Sequence, residues 1–189
     1  MGKIAKTVAG LEKSCTPAPL AFSWYTRFYR SVVDREIELA DIDAEDRILN
    51  VGCGGMPFTT ALLAKRTGAT VYALDHDPAV VQEARRNLER AGVANEVEIV
   101  VGDGRDVLGD GSRLPESCSV AVVALQAEPK DEILHQYRNT TDGPERVVVR
   151  QPRALVAGDY DRVTDCEDRT GAVRHRMPTF DRSLLFGSA

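Results

Sequence analysis

At 189 residues, 43% hydrophobic and 28% charged, the chain is long enough for one well-filled core and short for two. Its net charge of −5 is mixed along the whole sequence without a basic block, which argues against a nucleic-acid partner, and no apolar run approaches the roughly 20 residues of a membrane helix. Cys15, Cys53, Cys118 and Cys166 lie far apart, with no C-x-x-C pair and no neighbouring histidine cluster, so neither a metal site nor a disulfide framework is indicated.

The lead from Met1 to Thr16 is polar and lacks the apolar core of a signal peptide, so a cytoplasmic location is expected. Pro17 and Pro19 punctuate it. Ala21 to Ala40 then carries apolar residues at helical spacing. Five of the chain's eleven aromatics, Phe22, Trp24, Tyr25, Phe28 and Tyr29, crowd its start. Tyr25 and Tyr29 share one face by their i, i+4 spacing, so this helix either packs on a sheet, lids a cavity, or does both. Residues 1–45 thus read as a helical lead with an aromatic cap, set on a binding region spanning 46–189, the whole forming one domain.

Arg47 to Ala64, RILNVGCGGMPFTTALLA, organises the rest. Ile48, Leu49 and Val51 read as a strand, Gly52-Cys53-Gly54-Gly55 as a turn, and Thr59 to Ala64 as the start of a helix. A strand that feeds a helix through glycines is expected to leave backbone amides pointing outward and to admit a ligand where a Cβ would block it. Thr70 to Leu74 is a second strand, ended by Asp75. Asp77 and Pro78 read as N-cap and first position of a helix over Ala79 to Ala91, stopped by Gly92. Glu96–Val101, Ser119–Leu125 and Arg146–Val149 are further strands, with a helix over Lys130–Thr140 before the last. Ala172–Met177 and Ser183–Phe186 are too close for a crossover helix and read as an antiparallel pair. The fold expected is a doubly wound, Rossmann-like α/β sheet of five parallel strands plus a C-terminal antiparallel hairpin.

Ligands of such sheets lie beyond the carboxyl ends of the strands. Pro57 stands where a dinucleotide fingerprint has its third glycine, and the terminal hairpin replaces the last crossover of an NAD-type sheet. Both features favour S-adenosylmethionine (SAM) as cofactor. Gly52, Cys53, Gly54 and Gly55 would form its turn. Asp75, 23 residues after Gly52, is placed to accept both ribose hydroxyls, with His76 packing near the adenosine. Asp103 is placed to accept the exocyclic amine of adenine, and the Gly104 amide to serve a ring nitrogen. Leu125 and Gln126 end the fourth strand below the reacting centre. Tyr25, Tyr29 and Gln126 are the candidates for orienting an acceptor. Arg150 either pairs with a carboxylate of SAM or acceptor or makes a surface ion pair. His135 and His175 show no partner in the sequence and read as solvent-facing.

VGCGG together with ALDHDP and VVGDGRD resembles the class I SAM-dependent methyltransferases over about Asp46 to Phe186. More narrowly, VGCGGMPFTT, LDHDPAV, the VALQA strand end, VVVRQPR and the aromatic helix resemble the nicotianamine-synthase-like branch. Its glycine turn is followed by an apolar residue, Pro, an apolar residue, Thr, and Ser or Thr, and Met56-Pro57-Phe58-Thr59-Thr60 fits position by position. The first resemblance implies methyl transfer to a small-molecule acceptor, which is the default reading. The second implies transfer or cyclisation of the 3-amino-3-carboxypropyl group of SAM, and a non-catalytic SAM-binding module stands as the third. Asn50 replaces an acidic residue usual in methyltransferases, and Met56 their third glycine. Only about 45 residues precede the first strand, in place of the long helical N-terminal domain of nicotianamine synthases. The short lead implies a smaller acceptor, a more open site, or an enclosure completed by a second subunit in a homodimer.

Overall fold

Short β-branched runs, each followed by glycine or proline and then an amphipathic stretch, can bury both faces only by crossing back over the sheet through a helix. The computed structural model describes residues 19–109 and 117–187, with side chains from Tyr29 onward, and shows that arrangement. Strands β1 (Arg47–Val51), β2 (Thr70–Asp75), β3 (Val97–Val101), β4 (Val120–Val123) and β5 (Arg146–Pro152) are parallel. Strands β6 (Arg169–Arg174) and β7 (Phe180–Gly187) complete the sheet in the order β3-β2-β1-β4-β5-β7-β6, with β7 antiparallel to both neighbours.

The period of two along β1 sorts its side chains to opposite faces. Ile48 joins Val33 and Ala40 of α1 (Pro19–Ala40), Leu63 of α2 (Phe58–Thr67) and Leu88 of α3 (Pro78–Ala91). Leu49 and Val51 join Val107 and Leu108 of α4 (Gly104–Gly109) and Ile133 and Leu134 of α5 (Lys130–Asn139). Asp77 caps α3 as its sequence suggests: its side chain accepts from the Ala79 amide, and Gly92 ends the helix with φ of 69°. Asn50 is fully buried with a polar task. Its Nδ2 donates to the Val122 carbonyl at 3.1 Å and its Oδ1 accepts from Thr60 Oγ1 at 2.7 Å, tying α2 to β1 and β4.

Several boundaries differ from expectation. The sixth strand runs Arg169–Arg174 rather than Ala172–Met177, because the His175 amide donates to Asp181 O at 2.7 Å and closes the connection there. β4 stops at Val123, since Ala124 donates back to Val51 O and the chain then turns. α4, unanticipated, is possible because position 104 has no side chain: a Cβ there would lie 2.5 Å from Val51 Cγ1. No helix among the described residues is long and apolar enough to cross a membrane.

Candidate functional site

The chain leaves β1 toward β2 and β3, then returns to the other side of β1 as β4, and a crevice opens outside the carboxyl ends at that reversal. A cavity of about 580 Å³ fills it, bordered by Gly52 and Gly54, Asp75, His76, Asp103 and Gln126. This volume is in the range of small-ligand sites.

The glycine turn works differently from the expectation that its amides face outward. Gly52 N–H and Cys53 N–H both donate to Leu74 O, at 2.8 and 3.0 Å, and Gly54 N–H donates to Asp75 Oδ2 at 3.0 Å. These donors pin the turn to β2 instead of facing the cavity. What the turn offers is close approach, since Gly54, with φ of 69°, has open space where its Cβ would stand. Asp75 accepts from the Asp77 amide on Oδ1 at 3.2 Å, and its side chain is 10% exposed. A carboxylate has about four acceptor positions, so two backbone bonds leave room for ligand hydroxyls. His76 is mostly exposed, with Nδ1 3.6 Å from Asp75 Oδ1. Asp103 is held by its neighbour: hydrogen bonds from the Arg105 side chain, opposed by partial burial, keep its carboxyl below the usual range.

A second, smaller cavity of about 40 Å³ adjoins the first, sharing Gly52, Gly54, Met56 and Gln126 with it. Tyr29, Cys53, Phe58 and Arg150 line its other sides, with the Tyr29 and Phe58 rings 6.1 Å apart. Sequence-predicted Tyr29, Gln126, Cys53 and Arg150 therefore meet at one place. The Tyr25 side chain lies outside the described residues. Leu125, expected beside the cofactor, borders neither cavity and packs with Val32, Val156, Tyr160 and Phe180, because β4 has ended and the chain has turned. At Cys53, burial and then the Asp75 charge push the thiol up to about 12, which disfavours the thiolate.

Behind the smaller cavity stands a buried ion pair. Arg150 is 2% exposed and grips Glu36, 0% exposed, through Nε to Oε1 at 2.9 Å and Nη2 to Oε2 at 2.7 Å. Its Nη1 donates to Thr59 Oγ1 at 2.9 Å. Ser183 Oγ donates to Glu36 Oε1 at 2.6 Å, and His175 Nε2 stands 2.9 Å from that hydroxyl. Burial alone would raise the Glu36 carboxyl, but the Arg150 charge and the bonds from Arg150 and Ser183 outweigh it and hold it low. Two sequence expectations are thus corrected. Arg150 forms a buried pair within the protein and not a surface one. His175 is 5% exposed and bonded rather than solvent-facing, because the β6–β7 connection folds it over Phe180. His135 is exposed as expected, yet its Nε2 lies 3.2 Å from Asn139 Nδ2.

Lys130 was not anticipated either. It is fully buried, and its Nζ donates to the carbonyls of Leu125 at 2.6 Å and Ala127 at 2.9 Å, shaping the loop that carries Gln126. Burial pushes its ammonium down to about 8, against the pull of Asp161 and Glu128. A base held below its unfolded value of 10.5 has released its proton in the folded state while the unfolded chain still binds one. Stability of the wild type relative to Lys130→Met should therefore rise with pH between about 8 and 10.5, by up to about 1.4 kcal/mol per unit. Paired urea titrations at the two ends of that window read the difference, and an unchanged gap would refute it.

A doubly wound sheet with an antiparallel final strand, a glycine turn braced by an acidic strand end, and a crevice at the order reversal are features the chain shares with the class I SAM-dependent methyltransferase superfamily, which it resembles. Residues 28–113 match the model of the protein-L-isoaspartate (D-aspartate) O-methyltransferase family. L-histidine 2-aminobutanoyltransferase of Yersinia pestis is 35% identical over 86 residues, 46% of this chain and 32% of that protein. Protein-L-isoaspartate O-methyltransferase of Aeropyrum pernix is 41% identical over 75 residues, 39% of this chain and 28% of that protein. The chain thus spans about a third of the length of these curated relatives. Among solved structures, MtNAS in complex with MTA and tNA aligns over 98% of this chain and 70% of its own, with TM-score 0.74 and 24% identity. The RNA methyltransferase from Salinibacter ruber in complex with S-adenosyl-L-homocysteine aligns over 82% of this chain and 89% of its own, with TM-score 0.61 and 23% identity.

Proposed function

We propose that the chain is an enzyme that binds SAM across the two adjoining cavities and transfers a carbon group from it to a small-molecule acceptor, with methyl transfer as the primary reading. The observation that carries this is the shared wall. The larger cavity ends in a carboxylate suited to ribose hydroxyls, and Gly52, Gly54, Met56 and Gln126 pass directly from it into the aromatic-lined smaller one. The cofactor fits the residues present, because the turn has no Cβ at Gly54 and Asp75 keeps acceptor capacity.

Bound SAM supplies a sulfonium whose three carbons are open to in-line attack and whose leaving group is already good. The protein's part is then mostly proximity and orientation. Asp75 holds the ribose, Gln126 borders both cavities and orients the reacting end, and Tyr29 with Phe58 walls the acceptor side. Arg150 carries its charge to that wall already neutralised by Glu36. Burial and the Asp75 charge disfavour the Cys53 thiolate, which supports direct passage of the group to the acceptor over a relay through that thiol. Room for only a few atoms beside Tyr29 supports a small acceptor rather than a folded one.

Transfer of the 3-amino-3-carboxypropyl group is the second reading. It is favoured by the Met56 to Thr60 run and by the likeness to the Yersinia aminobutanoyltransferase. Incubation with SAM and a cell extract, followed by chromatography of the by-products, separates the two. S-adenosylhomocysteine is the expected product, and methylthioadenosine would transfer the assignment to the second reading. Label in the low-mass fraction is expected, and label on protein would overturn the small acceptor. SAM bound and returned unchanged with every fraction would leave a binding module and sink both transfer readings.

A further inference from the structure

The Asp103 carboxylate does not face the cavity alone. Arg105 N–H and Nε both donate to Asp103 Oδ1, at 2.9 and 3.0 Å, and Nη2 donates to Oδ2 at 2.7 Å. The remaining arm of the fork, Nη1, donates to Glu132 Oε2 at 2.8 Å, in the first turn of α5. Asp103 and Arg105 both border the larger cavity, as does Ile133 beside Glu132, so the guanidinium straps the end of β3 to α5 along the cavity wall. Three of about four acceptor positions on the carboxylate are thereby filled, leaving one on Oδ2. An arginine fork also fixes the carboxylate plane, which a lysine could not do.

We propose that Arg105 is a specificity-determining positioning residue, fixing the Asp103 carboxylate so that a single acceptor faces the ligand and selects a base with an exocyclic amine over one with oxygen at that carbon. This rests on the reading of Asp103 as the adenine acceptor. A hypoxanthine base would set its carbonyl oxygen against a lone pair that cannot rotate away. Without the strap the carboxylate can swing aside, so discrimination is lost together with affinity.

Calorimetric titration of S-adenosylhomocysteine and its deaminated counterpart, S-inosylhomocysteine, tests this on the wild type, Arg105→Gln, Arg105→Lys and Asp103→Asn. The wild type should prefer the adenosyl ligand by at least about tenfold, one charge-assisted hydrogen bond's worth. In Arg105→Gln the adenosyl affinity should fall and the preference drop below about threefold, and Arg105→Lys, which restores charge without the fork, should not recover the preference. The Arg105 side chain is 42% exposed, so melting temperatures should stay within about 4 °C of wild type. A preference kept or sharpened in Arg105→Gln while Asp103→Asn loses it would overturn the role of Arg105 and keep that of Asp103. A preference unchanged in both variants would overturn the reading of Asp103 itself.

Discussion

Glu36→Gln lowers the melting temperature by on the order of 10 °C, because it leaves a buried guanidinium without its counter-charge, a change worth about 3 to 5 kcal/mol in a domain of this size. Glutamine keeps the shape of the side chain, so the loss reports charge and not volume. Arg150 would retain one acceptor where it had two charged ones, and Ser183 Oγ, now 2.6 Å from an oxygen, would meet an amide of either orientation. Glu36→Met combined with Arg150→Met should recover most of the stability, since removing both charges removes the unpaired one. Differential scanning calorimetry of the wild type and the two variants checks this, and a fall of less than about 2 °C for the single variant would show that the pair contributes little. The double variant should nevertheless stay impaired in transfer, because Arg150 borders the smaller cavity and the wall there would lose its bond to Thr59.

Asp75→Ala is expected to weaken S-adenosylhomocysteine by at least about 100-fold, and the loss has two sources. Hydrogen bonds to a charged carboxylate contribute about 1.5 to 3 kcal/mol each, and two ribose hydroxyls would lose theirs. The Gly54 amide, 3.0 Å from Asp75 Oδ2, would lose its anchor as well, and the turn would relax from the geometry that lets a ligand approach. Isothermal titration at matched ionic strength measures the change. A weakening below tenfold would mean that Asp75 steadies the turn without touching the ligand.

The sheet was legible because most of its strands are signalled twice, by β-branched runs and by a glycine, aspartate or proline at their ends, as at Gly52, Asp75, Gly102 and Pro152. Val71 to Leu74 followed by Asp75-His76-Asp77-Pro78 fixes a strand, a turn and a helix start within eight residues. The edges were less legible, since where β6 ends depends on a backbone bond from His175 to Asp181 that no local pattern announces. At the site, the residues at strand ends could be found by spacing, whereas those reaching it from elsewhere could not. Glu36 is instructive: it sits among Val32, Val33 and Ala40 on the buried stripe of α1, where an acid must have a partner. Arg150 likewise interrupts VVVRQP, a run buried on both faces. Each is an unmatched charge at a core position, and reading the two together would have paired them. Lys130 gave no such sign, because it opens a helix whose charged neighbours, Asp131 and Glu132, look like ordinary surface.

Glu36 leaves the ribosome 114 residues before Arg150 and 147 before Ser183. At a synthesis rate of about 5 to 20 residues per second, the nascent helix spends on the order of ten seconds bearing an acid with no counterpart. Seating that helix against the half-made sheet would strip water from a lone carboxylate, at a cost of several kcal/mol. Docking of the first helix is therefore expected to follow the emergence of the fifth strand, which brings the Arg150 counter-charge.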